Sequence, residues 1–253
     1  MEIQTTKNRF LGDKLDILQF SEGFRGTTDT VLLAASVEAS SGDKVLELGC
    51  GVGVALCCLL SRLTGLEAYG IEIDSKAAQL CKENLKINKM NATIINSDLS
   101  NEPIIINKMS FDHIFMNPPF YKEGMVKKIS NKSISRAKIE VLKLDSWIRL
   151  ASKRCRPKGK ITIIQRSDRL PEILSLLKDS FGSIRVLPLC SFKNDPTKTV
   201  IVQATKGSKG TFKLYSQKNI HKRTGKGMAT VYEDEFRGIL WEGKPLNFKK
   251  LQS

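Results

Sequence analysis

The segment Glu47-Leu-Gly-Cys-Gly-Val-Gly53 constrains the fold more than any other part of the chain. It follows a short apolar run, residues 44–48, that reads as a buried strand, and it precedes residues 54–63, an apolar stretch of helical character. Glycines at 49, 51 and 53 let the backbone turn sharply and approach a ligand in conformations that a Cβ forbids. A strand feeding a helix through such a turn opens a βα unit, and more units follow. Strands are expected over 66–73, 92–96, 111–116 and 160–165, with helices over 75–88 (capped by Ser75), 137–155 and, capped by Asp168, to about 180. This alternation predicts an α/β fold, a mostly parallel sheet with helices on both faces. Residues 184–191 and 199–205 read as a closing antiparallel pair.

The rest of the chain is less patterned. Residues 122–136 lack apolar periodicity and read as a mobile loop, and the helix over 137–155 is broken by Arg156-Pro-Lys-Gly159. The tail from Lys206 is glycine-bearing and weakly periodic, with a short helix around 234–240. With no internal repeat and no second core, residues 1–253 are expected to form one domain: an N-terminal segment 1–41, a core 42–206 and an extension 207–253.

Three carboxylates point to the ligand. A dinucleotide fold wants G-x-G-x-x-G with a pyrophosphate over the helix N-terminus, but the glycines here are spaced G-x-G-x-G and position 54 is Val. Glu47, two residues before Gly49, would repel a pyrophosphate and suits the ammonium of an amino-acid ligand. That favours S-adenosylmethionine over NAD and argues against an oxidoreductase. Glu72 ends the second strand in Gly70-Ile-Glu-Ile-Asp74, where a carboxylate can accept both ribose hydroxyls, while Asp74 points away or caps the next helix. Asp98 closes the third strand, placed to bind an adenine amino group. In this arrangement the sequence resembles the class I methyltransferases over residues 42–206, which implies a seven-stranded Rossmann-like sheet with an antiparallel closing strand.

The fourth strand ends in Asn117-Pro118-Pro119-Phe120, which resembles the N-P-P-[FY] motif of methyltransferases acting on planar nitrogens of adenine, guanine or glutamine. An exocyclic amino group is a poor nucleophile because its lone pair is delocalised. The Asn117 side-chain oxygen and the Pro118 carbonyl can accept its two N–H bonds and draw the nitrogen toward tetrahedral geometry. The two prolines stiffen the acceptors, and Phe120 or Tyr121 can stack on a base. Attack on a sulfonium methyl is then an in-line displacement, catalysed chiefly by positioning.

The N-terminal stretch sharpens the resemblance. Residues 10–19, followed by Gly23-Phe-Arg-Gly-Thr-Thr-Asp-Thr-Val-Leu-Leu-Ala-Ala35, look like bacterial methyltransferases of the small-domain type that modify N6 of an adenine beside the anticodon of a valine tRNA. The resemblance implies that this segment folds over the cofactor, with Arg25, Thr28 and Asp29 lining its pocket; Thr28 or Asp29 also suits the cap of a helix over 30–39. Guanine N2 of ribosomal RNA and the glutamine of a release factor share the chemistry and remain alternatives. Glutamine enzymes carry a helical N-terminal domain for which 253 residues leave little room. DNA adenine methylation would call for a target-recognition insertion that is not legible. From another class, a catalytically silent RNA-binding module has no need of Glu47, Glu72, Asp98 and Asn117 around one crevice.

Charge fits a polyanionic partner. The net charge is +15, and residues 122–169 hold fifteen Lys/Arg against four acids, an excess of +11. Lys122, Lys127, Lys128, Lys132 and Arg136 follow directly on the Asn-Pro-Pro motif, where they can meet phosphates around a base flipped out at a cost of about a few kcal/mol. RNA, and tRNA in particular, is the expected partner of a monomer. Cys50, Cys57, Cys58, Cys81, Cys155 and Cys190 form no C-x-x-C pair and no zinc spacing with His113 or His221, so reduced thiols and no metal are expected. His113 is expected to be structural, and His221 is given no role. No apolar run reaches membrane-spanning length, and the first residues lack the pattern of a secretory signal, so the cytoplasm is the expected location.

Overall fold

The computed structural model describes residues 4–23, 25–100, 103–119, 121–122, 139–140, 142–224 and 229–248. It opens with an antiparallel hairpin, β1 (Thr5–Phe10) and β2 (Leu15–Phe20), and helix α1 (Thr28–Ser36). The core then alternates: β3 (Lys44–Leu48), α2 (Val54–Arg62), β4 (Glu67–Glu72), α3 (Ser75–Ile87), β5 (Thr93–Asn96) and β6 (Phe111–Met116). Two-residue strands β7 (Tyr121–Lys122) and β8 (Ile139–Glu140) precede α4 (Leu144–Arg154), β9 (Cys155–Arg166), α5 (Leu170–Leu177), β10 (Phe181–Cys190) and β11 (Thr199–Lys206).

The main sheet runs β5-β4-β3-β6-β9-β11-β10, the seven strands expected. Pairings from β5 to β9 are parallel, and β11 is antiparallel to both its neighbours. Two short strands not anticipated from sequence, β12 (Lys213–Leu214) and β13 (Lys218–Asn219), pair parallel with β10 and extend the sheet to nine. Strand order reverses at β3: the chain steps outward to β4 and β5, then returns to β6 on the other side. Adjacent crossovers leave β3 and β6 in opposite directions there, opening a crevice at their carboxyl ends.

Side chains alternate across each strand, so the sheet feeds two apolar layers. Val45, Phe115 and Ile164 join α1, α2 and α3 on one face, while Leu46, Leu48, Ile114 and Ile163 join Trp147, Ile148 and Ile173 on the other. Beyond hairpin β14 (His221–Thr224) and β15 (Ala229–Tyr232), helix α6 (Asp234–Arg237) continues into a π turn, Gly238–Glu242. Phe236, Ile239, Leu246 and Phe248 are buried with the α1 layer, and the Leu246 N–H donates to Ala35 O at 2.9 Å. Among the described residues no helix is long and apolar enough to cross a membrane. All six cysteines are free and buried.

Local details depart from expectation where distant partners intervene. The helix expected over 137–155 is Leu144–Arg154, because residues 139–140 pair with 121–122. The Arg156–Gly159 break, expected between the helix and a strand over 160–165, falls inside β9, which already starts at Cys155. It is absorbed as a bulge within β9, where the partners of β6 jump from Phe111↔Cys155 to His113↔Lys160 and Lys158 takes φ +64°. Asp74, not Ser75, caps α3, accepting from Lys76 N at 2.8 Å and Ala77 N at 3.2 Å. Asp168 lies inside a 3-10 turn, Ser167–Arg169, and binds Arg166 instead of capping α5. Thr27 is the N-cap of α1, which begins at Thr28, two residues earlier than expected.

Between the end of α1 and strands β6, β9 and β11 lies a buried polar cluster. His113 Nδ1 donates to Glu38 O at 3.4 Å, which leaves Nε2 to accept from the Thr162 hydroxyl at 2.7 Å. Gln203 donates to the same hydroxyl at 3.2 Å, and Glu38 accepts from Lys160 at 2.6 Å and from Arg185 at 3.2 Å. Burial first, and the Lys160 charge second, hold His113 neutral, with its pKa lowered to about 3. The unfolded ring titrates near 6.5, so between the two values only the unfolded state takes up the proton and stability falls as pH drops. Urea unfolding at pH 7.0, 6.0 and 5.0 should show His113→Gln losing less stability than the wild type below pH 6.5, by about 1.4 kcal/mol per pH unit. Parallel losses in the two proteins would refute this.

Candidate active site

The carboxyl end of β3 runs into the glycine turn, and each glycine there answers a different demand. An ideal Cβ on Gly49 would lie 2.6 Å from the Trp147 ring, and one on Gly53 would lie 2.5 Å from Cys81 Sγ. These two let α4 and α3 close against the turn. Gly51 is different: its φ is +53° and a Cβ there would meet nothing within 4 Å. Its surface is open, and its N–H donates to Glu72 Oε2 at 2.8 Å. Asn84, fully buried on α3, ties the turn from behind by donating to Val52 O at 2.9 Å and to Leu18 O of the hairpin at 2.9 Å.

Glu72 is held from two sides, its other oxygen accepting from Asp74 N at 2.9 Å. Burial raises its carboxyl pKa, an effect that the backbone N–H donors partly offset. Glu47 lies deeper, 4% exposed. Its Oε2 is buried with no hydrogen-bond partner among the described residues. Burial above all, then the neighbouring Cys81 thiol and Glu72 carboxyl, pushes its pKa well up, while a backbone hydrogen bond from Leu56 opposes this. Two carboxyls and the open Cα face of Gly51 thus share one end of the sheet. Asp98, half-buried two residues beyond β5, accepts from Ser100 N at 2.8 Å as a turn residue does. Asn96 braces that corner by donating to Glu72 O at 2.8 Å.

The N-terminal segment reaches the same edge. A Cβ on Gly26 would strike Val54 at 2.7 Å, so the start of α1 is packed on the first turn of α2. Thr28 and Asp29 stand in the first turn of α1, and burial raises the Asp29 pKa. Arg25 is committed to the hairpin, donating to Thr6 Oγ1 and Phe20 O at 2.9 Å and to Asn8 Oδ1 at 2.6 Å.

Next to β3, β6 carries Met116 opposite Leu48, and Asn117 follows directly. The Asn117 Oδ1 atom is buried with no hydrogen-bond partner among the described residues. Pro118 and Pro119 follow, and both of their carbonyls accept from Gln165 Nε2, at 3.2 and 3.5 Å. Sequence reasoning missed Gln165; its one visible signal is a polar amide at the end of the apolar strand Ile161-Thr-Ile-Ile-Gln165. Phe120, Lys127, Lys128, Lys132 and Arg136 lie outside the described residues, and Tyr121 and Lys122 enter only through their backbone pairing with Ile139–Glu140.

The contrast between glycines is testable. Gly53→Ala should destabilise the fold by about 2–5 kcal/mol, overpacking against Cys81 adding to the cost of its left-handed backbone. Gly51→Ala meets no protein atom and should lose only about 1–2 kcal/mol, for its left-handed backbone. Its stronger effect should be a tenfold or greater loss of ligand affinity at the open face, read by calorimetry with S-adenosylmethionine. Unchanged affinity in a folded Gly51→Ala protein would remove this turn from the ligand site.

The methyltransferase small-domain family matches residues 20–189 of the chain. A tRNA1(Val) (adenine(37)-N6)-methyltransferase of Porphyromonas gingivalis is 28% identical over 189 residues, covering 69% of this chain and 74% of that protein. An enzyme of the same name from Shewanella loihica is 28% identical over 162 residues, covering 62% of this chain and 66% of the relative. Among solved structures, a predicted O-methyltransferase from Agrobacterium tumefaciens superposes with a TM-score of 0.67 at 20% identity, over 86% of this chain and 97% of the other. A T. thermophilus 16S rRNA methyltransferase in complex with AdoMet and guanosine does so with a TM-score of 0.56 at 21% identity, over 81% and 51%. The sheet order, the strand reversal at β3 and the match over residues 20–189 lead to one conclusion: the chain belongs to the methyltransferase small-domain family and is a methyltransferase of class I fold.

Proposed function

We propose that this methyltransferase transfers a methyl group from S-adenosylmethionine to the N6 amino group of an adenine in tRNA, beside the anticodon. The observation that carries the reading is the buried, unpartnered Oδ1 of Asn117, one residue before Pro118 and directly after the strand paired with β3. A buried acceptor without a donor costs about 1–3 kcal/mol, and a two-hydrogen amino group is a donor of the required kind. The relatives named as tRNA1(Val) adenine-N6 enzymes support adenine and tRNA as the target.

Bound S-adenosylmethionine supplies an electrophilic methyl group on a sulfonium. The residues at the crevice suit such a ligand: an orphaned acid oxygen for its ammonium, an open glycine face for close backbone approach, and a second carboxylate for its ribose. In this reading Glu47 takes the amino-acid end and Gly49, Gly51 and Gly53 shape the turn. Glu72 accepts from the ribose hydroxyls and Asp98 from the adenine amino group. Thr28 and Asp29 close the pocket, with Arg25 bracing the hairpin beside them. Asn117 and the Pro118 carbonyl accept the two N–H bonds of the target, localising its lone pair on nitrogen. Phe120 and Tyr121 stack on the flipped base, and Lys122, Lys127, Lys128, Lys132 and Arg136 meet the phosphates around it.

Purified protein is incubated with methyl-labelled S-adenosylmethionine and total tRNA, and the digested nucleosides are identified by mass spectrometry. Label should appear in N6-methyladenosine and fall by about 10²–10³ in Asn117→Ala, with cofactor affinity within about twofold of the wild type. Label in N2-methylguanosine, or in no nucleoside, would overturn the assignment of adenine in tRNA.

A further inference from the structure

We propose that Gln165 is a positioning residue that latches the Asn117-Pro118-Pro119 turn and aims the Pro118 carbonyl. This rests on the reading of that turn as the methyl-acceptor site. The two prolines that stiffen the turn also remove its backbone N–H donors at 118 and 119. The turn is thus poor in donors of its own, and the donor that its carbonyls find lies elsewhere in the sheet.

Gln165 is that donor. It stands on β9, the parallel neighbour of β6, two residues beyond the Met116↔Ile163 pair. Its backbone is locked on the far side by pairing with Val200 of β11. Its side chain is 0% exposed. Nε2 donates to Pro118 O at 3.2 Å and Pro119 O at 3.5 Å, while Oε1 accepts from Arg166 N at 2.9 Å. The amide nitrogen and the carbonyl oxygen are therefore both engaged, and flipping the amide would lose these bonds. Burying an amide next to the run Ile161-Thr-Ile-Ile164 stabilises little by itself, since the net value of such bonds is small and the cost of losing them large.

What the amide adds is direction. A carbonyl oxygen has two lone-pair positions; Gln165 occupies one at Pro118 and leaves the other for an incoming N–H. The acceptor is then fixed before substrate arrives, the condition under which electrostatic stabilisation of a transition state is most effective. A misplacement of about 1 Å in such a group can cost about 10² in rate.

Gln165→Met keeps the volume and removes both donors; Gln165→Asn, one carbon shorter, keeps the amide but not the reach, and serves should the first fail to fold. Four quantities are read: steady-state methylation of tRNA, the cofactor Kd by calorimetry, Tm, and hydrogen exchange of the peptide spanning residues 116–122. The expected result is a kcat lower by about 10–100-fold, with the KM for RNA and the cofactor Kd within about threefold. Exchange over 116–122 should be faster, and exchange in β3 and α2 unchanged. An unchanged kcat, or a kcat that falls together with cofactor affinity and Tm, would overturn the proposal. If the wild type methylates no RNA, the substrate reading fails by itself, and the exchange data decide the latch: faster exchange over 116–122 supports it and unchanged exchange refutes it.

Discussion

The reversal of strand order at β3 is the constraint on which the rest of the molecule depends. With β4 on one side and β6 on the other, both parallel to β3, the chain leaves the sheet in opposite directions from adjacent strands. No crossover can cover the gap between them, so their carboxyl ends open into a crevice. Glu47 with the glycine turn, Glu72 and Asn117, at the ends of β3, β4 and β6, are brought to one edge of the sheet by these parallel pairings. Their separation along the chain, some seventy residues from the first to the last, has no bearing on their proximity.

Polar side chains around this crevice divide by how they are satisfied. Asn84 and Gln165 are fully buried and engaged through both ends of their amides, one to hairpin β2 and the glycine turn, the other to the Pro-Pro turn and β9. Asn84 joins elements that share no backbone ladder, and Gln165 continues the contact of β6 and β9 past the end of theirs. Glu47 Oε2 and Asn117 Oδ1, by contrast, are buried without partners among the described residues. Buried acceptors of this kind are rare in folded proteins, and both lie at the carboxyl ends of neighbouring strands, β3 and β6. Burial of the Glu47 carboxyl, with the Cys81 thiol and the Glu72 carboxyl beside it, also pushes its pKa well up.

The hairpin and the extension are less independent than their places at the chain ends suggest. The hairpin β2 binds α3 through side chains in place of a strand: Asn88 and Asn84 exchange hydrogen bonds with the backbone of Asp16 and Leu18. At the other end, Phe236, Ile239, Leu246 and Phe248 complete the apolar layer over α1. Both additions bear on the helices that support the glycine turn, and so on its shape.

Local patterns were enough to reveal the α/β alternation, the glycine turn and the Asn-Pro-Pro motif, and strands 44–48 and 111–116 run as their composition implies. These features depend on apolar periodicity and backbone conformation over a few residues, which a linear chain displays directly. Tertiary structure decided the rest. It set Thr27 as the cap of α1, Arg25 as a clamp on the hairpin, the bulge around Pro157, the added strands β12 and β13, and Gln165 beneath the prolines. Each of these depends on which distant backbone group needs a donor or acceptor. Residues 165 and 118 lie far apart in sequence and meet only because β6 and β9 are neighbours in the sheet, so their contact is set by strand order and register and leaves no local pattern.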